Sequence, residues 1–139
     1  MNMMRTLIPV AACLGLLLSG CKKEPGEGGK SEVRGYVYEQ AFNDGTCQPV
    51  GTPFPVIDAR VYIMYGDHDF YDDDVRTGPD GLFAFSWLRK GDYRIYAVSE
   101  CRANCETGCM GEQKAVFASA SVDGKDEVTN LGILTVKNY

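Results

Sequence analysis

Three cysteines, Cys101, Cys105 and Cys109, stand four residues apart, and a fourth, Cys47, lies far upstream. Thiolates at this spacing would share one helical face and could ligate a metal. In an oxidising compartment the same residues would form disulfides. A reactive thiol would need an activating base, and the sole histidine, His68, belongs to another segment. A second cluster is acidic: Asp67, Asp69, Asp72, Asp73, Asp74 and Asp80 fall within one polar stretch. Their oxygens suit Ca²⁺, but the spacing is not that of an EF-hand loop and His68 is a poor ligand for so hard an ion. The plainer reading, a solvated acidic loop on a hairpin, is preferred. A third set is aromatic. Tyr36, Tyr38, Tyr62 and Tyr96 alternate with inward-facing positions. Outward tyrosines can stack on sugar rings or bury a partner, and they also simply favour strands. No nucleophile–base pair or metal triad stands out. Neither enzymatic activity nor a cofactor is therefore expected.

The compartment decides how the cysteines are read, and the N-terminus supplies it. Arg5 precedes a twelve-residue apolar run from Leu7 to Leu18, followed by Ser19 and Gly20. This is the layout of a secretory signal peptide, too short for an ordinary membrane span. Leu18-Ser19-Gly20-Cys21 resembles the lipobox of bacterial lipoproteins. That resemblance implies cleavage before Cys21, lipidation of its thiol and acylation of the new N-terminus. Lys22 rather than aspartate after the lipid site implies sorting to the outer membrane, with the membrane as a partner through the anchor. Cys13 leaves with the signal and Cys21 goes to lipid, so four cysteines remain in an exported chain. An even set favours two disulfides over a zinc site. Three cysteines in one loop cannot all pair among themselves, so if all four pair, one must reach Cys47. Three connectivities stay open.

Loss of Arg5 reduces Lys+Arg from 14 to 13 against 19 Asp+Glu, so the mature side-chain charge is −6. An acidic domain of this kind is not expected to seek nucleic acid or anionic lipid by long-range electrostatics. Residues 21–31 comprise Cys21 and a polar, glycine-rich stretch that reads as a flexible tether. From residue 32 to 139 the pattern is period-two alternation rich in valine, isoleucine and aromatics, with turn formers between the runs. Val33, Val37, Val61, Ile63, Phe83, Phe85, Tyr93, Ile95 and Ala97 fall on inward positions. The expected fold is an all-β antiparallel sandwich of six to seven strands.

The order of these pieces is familiar. Val33-Arg34-Gly35-Tyr36-Val37, Ala59-Arg60-Val61-Tyr62-Ile63, Asp80-Gly81-Leu82-Phe83-Ala84-Phe85 and then Leu88, Gly91 and Tyr93 follow one another. This series resembles the carboxypeptidase regulatory-like domains, relatives of the prealbumin and collagen-binding B-type sandwiches. The resemblance runs from about Val33 to Val136 and implies a prealbumin-like sandwich, not a peptidase. It also makes the Cys101–Cys109 stretch an insertion into a normally short connection. The expected role is an envelope-anchored, non-catalytic accessory or interaction module with a protein or glycan partner. The alternative is a carbohydrate-binding lipoprotein that uses the exposed aromatic residues.

Overall fold

A computed structural model describes residues 23–139. Cys21 and the signal segment lie outside the described residues. Eight strands form in chain order: β1 (Glu27–Asn43), β2 (Gln48–Pro55), β3 (Arg60–Tyr65), β4 (Asp73–Arg76), β5 (Leu82–Leu88), β6 (Gly91–Glu100), β7 (Gln113–Val122) and β8 (Val128–Asn138). In one sheet β1 is central. It pairs β5 near its start and β2 near its end, with β8 along its other edge. The second sheet runs β4-β3-β6-β7. The expected sandwich therefore forms. All the pairings are antiparallel except β1–β8, which is parallel.

The core lies between the sheets and is built by the alternation. Val33, Val37, Val61, Ile63, Phe83, Tyr93 and Ile95 are at most 1% exposed. Leu134 and Val136 of β8 and Ala120 and Val122 of β7 complete it. The Asp80-Gly81 turn forms as its residues dictate. Gly81 has φ +78°, and the Asp80 carboxylate accepts the Leu82 N–H.

The eight strands exceed the expected six to seven, and β2 and β4 are the two that no alternation marked. Every residue of β2 is exposed, and it carries three prolines. Such a sequence reads as loop, yet proline is tolerated on an edge strand, where an N–H need not be donated. β4 is four residues long and begins inside the acidic stretch.

The tether requires correction. β1 begins at Glu27, inside the stretch assigned to a flexible link. Gly26 N–H donates to the buried Tyr93 hydroxyl at 3.0 Å, and Arg89 N–H donates to Gly26 O at 2.8 Å. Both Glu27 and Ser31 lie opposite Leu88, so Gly28–Lys30 form a bulge. A Cβ on Gly29 would fall 1.8 Å from Leu88 O. That glycine serves close backbone approach, not flexibility.

The molecule has two poles. The chain enters at one, beside the β5–β6 and β7–β8 turns. The β1–β2 hairpin and the long β6–β7 loop occupy the other, because β1 and β6 both end there.

Candidate functional site

The cysteines pair as Cys47–Cys105 and Cys101–Cys109, across 58 and 8 residues. The staple reading holds, and one of the three open connectivities is selected. Cys101, directly after β6, is fully buried, whereas Cys105 faces the β1–β2 hairpin. Asn43 shapes that hairpin, its side-chain oxygen accepting the Gly45 and Thr46 N–H groups at 3.0 Å. Glu106 secures the β6–β7 loop to β7 and β8. Its carboxylate meets Lys137 at 3.1 Å and Lys114 at 3.5 Å and accepts the Tyr139 hydroxyl at 3.2 Å. Burial alone would raise the Glu106 carboxyl, but the hydrogen bonds from Lys137 and Tyr139 and the two lysine charges hold it below its usual range.

The acidic residues do not converge. Asp72 accepts the Tyr65 N–H at 2.7 Å through one oxygen and meets His68 Nδ1 at 2.7 Å through the other. Asp73 caps the Asp74 N–H, and Asp74 pairs with Arg60 at 3.2 Å. Asp67 and Asp69 line a separate cleft, and Asp80 belongs to the β4–β5 turn. Among the described residues no three His, Cys, Asp or Glu side chains are grouped to hold a metal.

The tyrosines divide between the two sheets. Tyr36 and Tyr38 are half-buried on β1, opposite Leu82 and Pro55. Tyr62 and Tyr96 are register partners on β3 and β6, and Phe117 of β7 is the next partner in line. Their rings form a ladder across the outer face of the second sheet. Tyr62 and Tyr96 lie nearly parallel, with centroids 4.8 Å apart, and Phe117 follows at 5.2 Å. Tyr71, from the β3–β4 loop, packs on Tyr62 at 4.9 Å. Four rings at cross-strand spacing make a row roughly 15 Å long. The inner rings contact each other, so free ring surface is concentrated at the ends. Phe117 is 57% exposed and Tyr71 52%. Phe117 and Tyr71 were not singled out from sequence. Parity alone makes Phe117 outward, since its neighbours Val116 and Ala118 point in, but nothing local marks Tyr71.

Polar groups flank the ladder. The Arg60 guanidinium is held charged by its hydrogen bond with Tyr62 and by Asp74. Burial, then the adjoining Tyr62 and Tyr71, push the Tyr96 phenol up, so it stays a neutral hydroxyl. Next along β6, Arg94 donates to the His68 carbonyl. Arg94, Asp67, Asp69 and Ser119 line an open cleft of about 700 Å³ beside the ladder. The result is an aromatic row with hydroxyl, guanidinium and carboxylate groups at its margins.

No family model matches the chain, and no curated protein matches it. Among solved structures it is similar to a Pseudomonas aeruginosa protein described as a "putative carbohydrate binding protein". The two are 14% identical, with 81% of this chain and 91% of that chain covered, at a TM-score of 0.47.

Proposed function

We propose that this chain is a non-catalytic, lipid-anchored binding module of the bacterial outer membrane that recognises a glycan through the β3–β6–β7 aromatic ladder. The carrying observation is the exposed row Tyr71–Tyr62–Tyr96–Phe117 beside a cleft with polar walls. Sugars present apolar C–H faces and hydroxyl edges together. The end rings offer surface for the faces, while Arg60, Arg94 and the aspartates offer donors and acceptors for the edges. Two disulfides support an exported location, and the lipobox at Leu18–Cys21 supports the anchor. The ordered motifs from Val33 to Tyr93 support membership of the carboxypeptidase regulatory-like domains, consistent with an accessory role.

A glycan array probed with the full chain, followed by calorimetric titration of the best ligand, tests the binding. Phe117→Ala and Tyr71→Ala should each weaken affinity about three- to tenfold, the worth of one aromatic contact. Tyr36→Ala, on the opposite sheet, should leave it unchanged. Binding that ignores both end rings, or no glycan binding at all, overturns the reading. Fatty-acid labelling that persists in Cys21→Ser would separately overturn the anchor.

A further inference from the structure

The described chain carries twelve lysine and arginine side chains, and their partners are distributed unevenly. Arg34, Arg60, Arg76, Arg102, Lys114 and Lys137 each pair with a carboxylate. Arg94 donates to a backbone carbonyl. The other five, Lys23, Lys30, Arg89, Lys90 and Lys125, make no ion pair among the described residues. All five line one cleft of about 800 Å³ at the pole where the chain enters. Arg89 Nε is buried there without a hydrogen-bond partner. Asp92, Asp123 and Asp126 line the same cleft, so its balance is 5 − 3 = +2 in a mature chain of charge −6. Glu24, Glu27 and Glu127, and Asp67 and Asp69 of the adjoining cleft, flank the lining without belonging to it. An acidic protein has thus gathered its free cations at a single pole.

The position of that pole gives the cluster a partner. Because Pro25 and Gly26 are packed against Gly91 and Tyr93, the link to residue 21 is far shorter than the composition suggests. Lys23 stands two positions after Cys21, a reach of at most about 7 Å. That is within a Debye length of about 8 Å at physiological salt. We propose that this pole docks on the membrane leaflet, its five free cations engaging the phosphates of anionic lipid headgroups. The inference rests on the lipid anchor only for which pole faces the bilayer. The anchor then fixes the domain upright. The disulfide-tied pole points away from the membrane, and the aromatic ladder stands on a side wall, its flanking cleft bordering the docking pole through Asp92 and Ser121.

Trp87 supplies the reporter. It is the sole tryptophan, 68% exposed, and next to Leu88 of the cleft. The lipidated full chain is reconstituted on phosphatidylcholine vesicles with and without phosphatidylglycerol, each containing a headgroup-labelled nitroxide lipid. Flotation with the neutral vesicles reads the anchor, and Trp87 quenching reads docking. Quenching should be several-fold stronger with phosphatidylglycerol and should fall away at molar salt. Lys30→Gln/Lys90→Gln/Lys125→Gln changes only exposed side chains, so its melting temperature should match wild type. At about fivefold per cation, it should weaken docking on the order of a hundredfold. Equal quenching on both vesicles, or a triple variant that docks like wild type, overturns the proposal. So does a Trp87 response to millimolar inorganic phosphate with none to phosphatidylglycerol, which would mark a small-anion site. Failure to float with neutral vesicles would refute the anchor alone. Docking would then still be read as flotation with phosphatidylglycerol vesicles, which the triple variant should lose.

Discussion

Removing the Cys47–Cys105 bridge as a pair, by Cys47→Ala/Cys105→Ala, should cost more than removing any ordinary contact. The bridge closes 58 residues, and the chain-entropy relation assigns such a loop about 4 kcal/mol. The Cys101–Cys109 bridge closes only 8 residues, for which the same relation gives about 2.5 kcal/mol. The longer bridge also holds a structural element that has little else. Every residue of β2 is exposed, so its attachment depends on the β1 ladder and on the bridge beside it. The paired substitution leaves no orphan thiol to reshuffle with the remaining bridge. For a domain of this size each kcal/mol moves the midpoint by about 4 °C, so calorimetry should show a loss of about 15 °C. Amide exchange should quicken first in β2 and in residues 102–108, while Val37, Ile63 and Ile95 of the core stay protected. A loss below about 4 °C with unchanged exchange in β2 would refute the reasoning. It would mean that the hairpin and the β6–β7 loop are held by their polar contacts alone.

Two further predictions probe the opposite pole and the β6–β7 loop. Gly91 sits at φ +146°, and a Cβ there would lie 2.4 Å from Pro25 Cγ, so Gly91→Ala should cost about 1–3 kcal/mol in denaturant unfolding and free the segment before Glu27 to proteolysis. The Glu106 carboxyl has a folded pKa below its unfolded value near 4.5, so its contribution is complete above that pH and is lost as pH falls through the folded value. Glu106→Gln should therefore lower the urea midpoint near neutrality and flatten its decline below about pH 4.5. An identical acid limb in the variant would remove Glu106 from the account.

Much of the scaffold was legible because alternation is a local signal. A buried face at every second residue places Val33, Val37, Val61, Ile63, Phe83 and Ile95 without knowledge of any partner strand. The disulfide state was legible for a similar reason, since an even set of cysteines behind a segment with the layout of an export signal implies oxidation wherever the loops meet. Connectivity was not, because it depends on which thiol of the 101–109 loop faces the β1–β2 hairpin. β2 escaped because its prolines and exposed residues carry no burial pattern, and its ladder to β1 exists only once β1 is placed. The glycine-rich entry misled because composition cannot distinguish a glycine that lets a chain wander from one that lets two backbones touch. Tyr62 and Tyr96 could be named as outward residues, but their stacking, and the addition of Phe117 and Tyr71, required the β3–β6–β7 register. The five free cations are spread from Lys23 to Lys125 along the chain. They became one cleft only when the entering segment and two turns closed on the same pole. The sequence by itself determined which residues turn inward, because that preference is written residue by residue. The tertiary structure decided which outward residues stand together, because adjacency across strands is set by long-range pairing that no local pattern encodes.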